Sequence, residues 1–329
     1  MNKQKCAVIG CGFVGASIAF SLIQEEMFSE LVLIDINQTK AEGEAMDLSH
    51  GLPFVHPMKI YAGTYADLAD CFLIIITAGA GQRPGETRLE LVRKNVEIFR
   101  DMIPQITAVT QDARLLIVSN PVDVMTYAAW KLSGYPPEHV IGSGTVLDVD
   151  MDKGAHVVQF DEVLDTARLK YLLGAHLGVD SRSVHAFIIG EHGDSELAVW
   201  SSANISGVDL DSFCDICGAC DGETLHRLYE DVRTSAYKVI EKKGATYYAI
   251  ALAVTRIARA IVREEHSVLP VSAYVNGHYG VSDVYFGVPS IVGAEGIEKV
   301  LDIPLDASEQ QQLEHSVQTL KDVIAGLDL

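Results

Sequence analysis

Near its amino terminus the chain places a glycine-rich turn between an apolar strand-like run and a helix-period segment. The run CAVIG leads into GCGFVG, from Gly10 to Gly15, and Asp35 ends the next strand-like run about twenty positions further on. A GxGxxG pattern alone is a weak signal. In this order of strand, turn, helix and terminal acid it is typical of a dinucleotide-binding βαβ unit, and it constrains the fold more than any other feature.

Each residue of this pattern has a physical task. Gly10 permits the tight turn, Gly12 lets the backbone approach a pyrophosphate at the helix amino terminus, and Gly15 allows the helix to pack closely on the strand. The carboxylate of Asp35 can accept hydrogen bonds from a ribose diol and would repel a 2′-phosphate. We therefore expect NAD rather than NADP as the cofactor; the alternative is a glycine-rich turn without a ligand.

Apolar runs alternate with helix-period segments through the first 145 residues. The strand-like runs are CAVIG, LVLIDI, FLIIITAG, RLLIVSN and VIGSGT. Such alternation predicts an α/β fold of the Rossmann type, a doubly wound parallel sheet with helices on both faces. Because 329 residues exceed a typical single core, we expect two domains, an NAD-binding domain over 1–145 and a mixed α+β substrate-binding and catalytic domain over 146–329.

The second half has a different order of predicted elements, in which long helical segments alternate with short strands. The predicted helices cover 167–177, 223–242, 246–264 and 308–325, and the predicted strands are VHAFIIG, 267–275 and 285–292. No internal repeat of solenoid period is visible.

The charge balance excludes several partners. Against 25 basic residues stand 45 acidic ones, and the formal net charge of -20 would repel nucleic acid and anionic lipid. The longest apolar run, CFLIIITAGAG, is about half of what a membrane span needs. The opening MNKQKCAVIGCG has no hydrophobic signal region, which predicts a cytoplasmic protein that binds neither nucleic acid nor membrane.

Six cysteines without a secretory signal predict reduced thiols. Cys214, Cys217 and Cys220 have a CxxCxxC spacing that can indicate zinc or an iron-sulfur cluster. No fourth cysteine follows nearby, and His226 is the only local substitute. We interpret the three as small residues on a loop before a helix and predict no metal.

Six further motifs occur in one order along the chain. They are TAGAGQRPGETRLELVRKN, SNPVDVMTY, VIGSGT, LDTAR, IIGEHGDSE and KGATYYAIA. Together they resemble the L-lactate branch of the lactate/malate dehydrogenase family, from about Cys6 to the carboxyl terminus. The resemblance implies NAD-dependent, reversible hydride transfer between NADH and pyruvate to give L-lactate, and a homotetramer.

By this resemblance four residues carry the chemistry. His192, in EHGD, is the expected proton shuttle, because oxidation of a 2-hydroxy acid needs a base on the hydroxyl and imidazole titrates near the working pH. Asp165, in LDTAR, would hold the other ring nitrogen. Arg168 lies three residues on and would bind the substrate carboxylate through two parallel hydrogen bonds. Arg88, in PGETR, would polarise the ketone from a closing loop.

Substrate choice is expected to rest on Gln82 and Thr246. The malate branch has an arginine in place of Gln82, and that arginine pairs with the second carboxylate of oxaloacetate. An unpaired carboxylate in a closed pocket costs several kcal/mol, so a neutral side chain favours the methyl group of pyruvate. A dehydrogenase for another 2-hydroxy acid, such as malate, is the alternative.

The resemblance also implies a row of residues along the cofactor. Asn120 and Ser143 would lie at the nicotinamide end, where Asn120 would also meet the substrate oxygen. Lys40 and Tyr65 would flank the adenosine part. The expected cofactor-binding set is Gly10, Gly12, Val14, Gly15, Asp35, Lys40, Tyr65, Gly79, Ala80, Asn120 and Ser143.

Some bacterial members of the family are activated by fructose 1,6-bisphosphate, using an arginine two positions after LDTAR and a histidine before the EHGD strand. His185 matches the histidine. Lys170 stands in place of the arginine and keeps the charge but not the two-pronged donor. Allosteric activation and a structural role of His185 at a subunit contact are both open.

The tripeptide Val-Leu-Asp occurs twice, ending at Asp148 and at Asp165, and residues 149–165 separate SGT from TAR. These residues are the only part outside the resemblance, and we interpret them as an insertion. Since TAR follows Asp165 directly, only Asp165 keeps the helical spacing to Arg168. We therefore assign the histidine-orienting role to Asp165 and regard Asp148 as a displaced copy.

The inserted run could itself be a site. Asp148, Asp150 and Asp152 resemble the start of a calcium loop. The glycine comes one place late, at Gly154, and Gln159 stands where the closing glutamate should be. We predict an exposed excursion without metal. Because a displacement of about 1 Å in a catalytic group can cost about 10²-fold in rate, a folded NAD-binding homologue with impaired turnover is the rival hypothesis.

Overall fold

The computed structural model describes residues 2–81, 88–143, 162–218 and 221–329. Its strands are β1 (Asn2–Ile9), β2 (Glu30–Ile34), β3 (Lys59–Ala62), β4 (Cys71–Ile76), β5 (Arg114–Ile117), β6 (Val140–Gly142), β7 (Val184–Ile189), β8 (Leu197–Ile205), β9 (Val208–Asp209), β10 (Ser267–Val275), β11 (Val284–Gly293) and β12 (Gly296–Val300). The Ca²⁺-loop residues considered above and Asp148 lie outside these ranges.

Helices pack on the strands throughout the described ranges. They are α1 (Phe13–Gln24), α2 (Gln38–Gly51), α3 (Arg88–Thr107), α4 (Val122–Ser133), α5 (Glu162–Leu177), α6 (Leu210–Cys217), α7 (Gly222–Lys243), α8 (Tyr248–Val262) and α9 (Ala307–Ala325). In the part of the chain that is described, none of them combines the length and the apolar content that a bilayer crossing would require.

The central sheet has the order β12-β11-β10-β6-β5-β4-β1-β2-β3. Strands β1 to β6 pair in parallel. All six residues of β4 are buried, because helices cover both faces of the sheet and the continuous apolar run CFLIII has no solvent side. The predicted Rossmann-type sheet is therefore confirmed, and its strand order reverses beside β1, where doubly wound folds bind nucleotides.

The same sheet continues past the predicted domain boundary. Strands β10 to β12 add to it in antiparallel order, and β10 joins β6 through the pair Ser272 and Gly142. A Cβ at Gly142 would lie 2.6 Å from the Cβ of Ser272, so only glycine allows this approach. The division into domains over 1–145 and 146–329 stays a prediction, and a single sheet links the two parts.

A second, smaller sheet of order β7-β8-β9 lies in the carboxyl-terminal half. Its apolar face packs with α5, α6 and α7 around a core of its own. That core contains Leu169, Leu173, Val184, Ala186, Ile188, Ala198, Ala203, Ile205, Leu210, Cys214, Leu228 and Val232. This mixed layer gives α5 and the turn between β7 and β8 a rigid support.

The structure corrects the interpretation of the cysteines. Cys214 and Cys217 lie on helix α6 and not on a loop. Cys214 is disulfide-bonded, so the prediction of reduced thiols is wrong for this residue. The other described cysteines, Cys6, Cys11, Cys71 and Cys217, are free. Cys214 lies on the buried side of α6, whereas Cys217 is exposed. Cys220 lies outside the described residues.

Candidate functional site

An elongated groove runs along the carboxyl ends of the parallel strands. At one end a cavity of about 510 Å³ is bounded by Asp35, Ile36, Lys40 and Tyr65. At the other end a narrower cavity reaches Asn120. Both cavities are lined by Gly12, Thr77 and Gly79, so they form one continuous groove. Its length and its position at the strand reversal fit an extended dinucleotide.

The glycines at the centre of the groove are required by close contacts. Gly10 has φ +100°, and a Cβ there would lie 2.7 Å from the backbone nitrogen of Ala78. A Cβ at Gly15 would lie 1.9 Å from the carbonyl oxygen of Gly10. Gly12 begins α1 as its cap residue and adds no side chain, which leaves the first amide groups of the helix open to a phosphate.

Asp35 stands at the end of β2 with its carboxylate held in place. One oxygen accepts a hydrogen bond from the backbone nitrogen of Cys11 at 2.6 Å, and the other accepts one from that of Asn37 at 2.8 Å. Burial and the nearby carboxylate of Asp35 raise the pKa of the Cys11 thiol to about 12. The groove therefore presents a fixed carboxylate, and the buried thiol beside it is neutral.

Asn95, on α3, joins the two walls of the groove, and the sequence analysis assigned it no role. Its side chain is buried and accepts a hydrogen bond from the backbone nitrogen of Ala80 at 2.7 Å. It also donates to the carbonyl oxygen of Asn120 at 2.8 Å. In the sequence, this buried amide from the first half of α3 was visible only as the last letter of LVRKN.

His192 lies in the turn between β7 and β8, fully buried. The turn begins at Gly190, whose φ of +101° and tight contact with Ser316 exclude a larger residue. The backbone nitrogen of His192 donates to the carboxylate of Asp123 at 2.7 Å, and Ser272 donates to the other oxygen of Asp123 at 2.5 Å. Buried Asp123, at the start of α4, thus ties the histidine turn to the segment that carries Asn120.

Asp165 lies on α5 and faces the histidine. Its carboxylate oxygen is 3.7 Å from Nδ1 of His192, and both side chains are fully buried. Nη1 of Arg168 approaches the other oxygen of Asp165 at 2.5 Å. Thr166 accepts a hydrogen bond from the backbone nitrogen of Ile188 at 2.9 Å, which fixes α5 against β7. The second aspartate of the doubled tripeptide therefore faces the histidine.

Glu196 adds a second acid to this cluster and was not singled out from the sequence. Ligand-type atoms of Asp165, His192 and Glu196 all lie within 4.8 Å of one another. Such a trio has the donor types of a divalent-cation site. The guanidinium of Arg168 already holds Asp165, and its positive charge opposes a cation there.

The remaining predicted residues have varied positions. Ser143 and Thr246 are buried. Lys170 is half-buried, and burial lowers its pKa, whereas His185 is exposed. Arg88 is the first residue of α3. The substrate-choice residue Gln82 lies outside the described residues.

Comparisons with known proteins give a consistent result. Family models described as the NAD binding domain and the alpha/beta C-terminal domain of lactate/malate dehydrogenase match residues 4–142 and 163–327, which leaves 143–162 between them unmatched. The L-lactate dehydrogenase of Acetivibrio thermocellus is 50% identical over 327 residues, covering 99% of this chain and 98% of that protein. L-lactate dehydrogenase 1 of Clostridium acetobutylicum is 50% identical over 327 residues, with 99% of both chains covered.

A solved structure agrees with these sequences. The crystal structure of the minor L-lactate dehydrogenase from Enterococcus mundtii, in a ligands-bound form, has a TM-score of 0.92 at 40% identity and covers 99% of both chains. The groove, the buried imidazole and the match over nearly the whole length have one explanation: this chain belongs to the lactate/malate dehydrogenase family, and its amino-terminal part is that family's NAD-binding domain.

Proposed function

We propose that the protein is an NAD-dependent L-lactate dehydrogenase that interconverts pyruvate and L-lactate. The observation that carries this proposal is the buried group formed by His192, Asp165 and Arg168, tied through Asp123 to the Asn120 end of the nucleotide groove. An imidazole for the proton and a guanidinium for the carboxylate are what a 2-hydroxy acid requires. The relatives named L-lactate dehydrogenase support the same choice.

The proposed mechanism follows from the charges of these residues. NAD⁺, when bound in the groove, supplies the hydride acceptor for the carbon that bears the hydroxyl. His192 takes the hydroxyl proton as the C–H bond breaks, so that lactate loses one hydride and one proton and pyruvate forms. Asp165 stabilises the resulting imidazolium, and Arg168 binds the carboxylate. Arg88 is proposed to polarise the carbonyl oxygen in the reverse direction.

The proposed nucleotide-binding role of each residue follows from its position along the groove. Asp35 and Lys40 line the wider end and are proposed to bind the adenosine part, whereas Asn120 lines the narrow end and is proposed to bind near the nicotinamide. Ser143 is buried after β6, on the same edge of the sheet. A titration with NADPH in place of NADH tests Asp35, since a preference for NADPH would contradict its proposed role.

His192→Asn tests the chemical part of the proposal. The amide keeps a comparable size but cannot exchange a proton near neutral pH, so pyruvate reduction should fall by about 10² to 10⁴-fold. NADH binding, followed by fluorescence titration, should be unchanged because the groove is intact. An active His192→Asn enzyme would remove His192 from the proposed role.

The preference for pyruvate rests on Gln82. A neutral amide leaves a second substrate carboxylate without a cation, and that costs several kcal/mol in a closed site. We expect kcat/KM for pyruvate to exceed that for oxaloacetate, and Gln82→Arg to reverse the order. A wild-type enzyme that prefers oxaloacetate would favour the malate alternative.

The rival candidate, a homologue with impaired turnover, rests on residues 149–165. The family models end at residue 142 and begin again at residue 163, so they leave most of this segment unmatched, which supports its interpretation as an insertion. Deletion of 149–165 fuses Asp148 to Thr166 and restores VLDTAR. We expect the shortened chain to be at least as active as the full chain. Lower activity after the deletion would show that the segment is needed. NADH binding without turnover in the full chain, with turnover restored in the shortened chain, would favour the rival.

Three finer features are also proposed. The protein is expected to be a cytoplasmic homotetramer, as the family resemblance implies. Fructose 1,6-bisphosphate is proposed as an activator that contacts Lys170 and His185. Burial lowers the pKa of half-buried Lys170, and a bound anion would stabilise its charged form. Kinetics with and without the bisphosphate, and sedimentation of the purified protein, test these points.

A further inference from the structure

Glu196 is a buried carboxyl group that the proposed mechanism does not use. It lies four residues after His192, immediately before β8, and only 4% of the residue is exposed. Neither of its carboxylate oxygens accepts a hydrogen bond from a donor among the described residues. An ionised carboxylate in such a place loses its hydration without a hydrogen bond in exchange, which disfavours the charged form.

The group that Glu196 does face is a second carboxylate. An oxygen of Glu196, an oxygen of Asp165 and a ring nitrogen of His192 lie within 4.8 Å of one another. Two carboxylates at this distance in a dry site cannot both be ionised, because each charge raises the free energy of the other. Two carboxyl oxygens can also share a hydrogen bond only if one of them holds a proton.

The surroundings decide which carboxyl holds the proton. Asp165 has the guanidinium of Arg168 at 2.5 Å, which favours its charged form. The other cation that acts on Glu196 is Arg233, and Arg233 is paired with Glu230 at 2.8 Å. Burial, and next the charge of Asp165, raise the pKa of Glu196 well above its usual value, and the two arginines act in the opposite direction.

The charged and titratable groups around Glu196 come from three elements. Tyr229, on α7, donates its hydroxyl to the backbone oxygen of Glu196, and burial raises the pKa of this tyrosine, so it stays neutral. The remaining groups are Asp165 and Arg168 on α5, His192 and Asp194 in the turn, and Glu230 and Arg233 on α7. Within this set, Asp165 is the group that can accept a hydrogen bond from a protonated Glu196.

We propose that Glu196 is a positioning residue held as the neutral carboxylic acid, donating its proton to Asp165. The single negative charge on Asp165 then stabilises the guanidinium of Arg168 and orients the imidazole of His192. The role in turnover rests on the proposed function, whereas the protonation of Glu196 does not.

The neutral form matters for the reaction. An ionised Glu196 would place a second negative charge within 4.8 Å of His192 and next to the carboxylate clamp. That charge would favour the imidazolium at all working pH values and would repel an anionic substrate. The proton donated by Glu196 also moderates the basicity of Asp165, because a hydrogen bond to the charged form stabilises it.

Infrared difference spectroscopy tests the protonation without any need for turnover. The wild-type protein at neutral pH should show the carbonyl band of a buried, protonated carboxylic acid, and Glu196→Gln should lack it. Glu230→Gln is the matched control, since it removes a nearby paired carboxylate and should leave the band in place. A wild-type spectrum without the band, or a band that survives in Glu196→Gln, would overturn the proposal.

The pH profile of kcat/KM for lactate oxidation tests the positioning role. Glu196→Gln keeps an uncharged donor and should keep the wild-type midpoint within about 0.3 pH units. Glu196→Met has a similar volume but no donor, and Asp165 without its donor should move the midpoint upward by about one pH unit. A lower midpoint in Glu196→Gln would mean that Glu196 is ionised, and equal midpoints in Glu196→Gln and Glu196→Met would reduce it to a structural role.

The two arms separate the possible failures. Should the wild-type protein bind NADH but not reduce pyruvate, the proposed function fails while the infrared band still decides the state of Glu196. Should Glu196→Met not fold, as judged by circular dichroism, the comparison of wild-type protein, Glu196→Gln and Glu230→Gln still confirms or overturns the protonation.

Discussion

The nucleotide groove and the proton-transfer cluster differ in how the chain builds them. The groove is made largely of backbone at the ends of consecutive strands, and its required glycines lie within six positions of one another. The cluster is made of buried side chains from α5, the β7–β8 turn and α7, and its charges must balance one another. A site of the first kind is specified by steric fit, and one of the second kind by the placement of protons.

This difference predicts which changes each region tolerates. In the cluster a substitution that keeps the charge but changes the donor geometry should be severe, because an arginine holds the substrate carboxylate with two parallel hydrogen bonds. In the groove, the addition of a single methyl group should lower stability and NADH binding where backbone atoms are close. It should have no such effect where they are not.

Arg168→Lys should have a larger effect than the change in the groove. Lysine keeps the positive charge but loses the planar pair of donors, so kcat/KM for pyruvate should fall by about 10²-fold or more while NADH affinity stays the same. Arg182→Lys is the control, since Arg182 pairs with Asp180 on the surface with 90% of its side chain exposed, and it should behave as the wild-type protein. Equal losses in both variants would contradict a special role of Arg168.

Gly15→Ala should come next. Its new Cβ would lie 1.9 Å from the carbonyl oxygen of Gly10, so α1 must move away from β1. We expect a loss of about 1 to 3 kcal/mol in the free energy of unfolding, with NADH binding weakened by about tenfold. Gly43→Ala, in α2, has no heavy atom within 4 Å of the new Cβ and should be neutral or stabilising. Denaturant unfolding and NADH titration measure both, and a harmless Gly15→Ala would contradict the steric account.

A smaller effect is expected in the pH dependence of stability. The pKa of Glu196 is raised in the folded protein, so above pH of about 4.5 the folded state binds a proton that the unfolded state has released. This contribution to stability is complete below that pH and falls by about 1.4 kcal/mol per pH unit until Glu196 ionises. Glu196→Gln should therefore gain stability relative to the wild-type protein as the pH rises from 6 to 8.

Glu230→Gln again serves as the reference for that measurement. Its melting temperature should follow the wild-type slope with pH, because the proton on Glu196 is retained. Parallel slopes for the wild-type protein and Glu196→Gln would mean that Glu196 is ionised in the folded state.

The sequence predicted the groove better than the cluster for physical reasons. The turn at Gly10, the packing at Gly15 and the acid at Asp35 are local consequences of one βαβ unit, and residue spacing encodes them. Short β3 and α6 were not predicted, because KIYA is only half-buried and the cysteines of α6 were interpreted as a loop.

Long-range contacts were the least visible. Asp123 and Glu196 lie 73 positions apart, and their surroundings depend on how α4, α7 and the β7–β8 turn pack. A buried acid has no sequence signature until its neighbours are known, since the same glutamate on a surface would be an ordinary solvated charge. The pairing of His192 with Asp165 was predicted by family resemblance, and the structure brings these two residues together at 3.7 Å.

The central claim is that Asp165, which directly precedes TAR, orients the imidazole of His192. A comparison of Asp165 with Asp148 tests this claim most directly. Pyruvate reduction should be compared in Asp165→Asn and Asp148→Asn, with NADH affinity measured in each. The account predicts a loss of roughly 10³-fold in kcat for Asp165→Asn and little change for Asp148→Asn, with NADH bound normally by both. The opposite order, or two equally active variants, would contradict it.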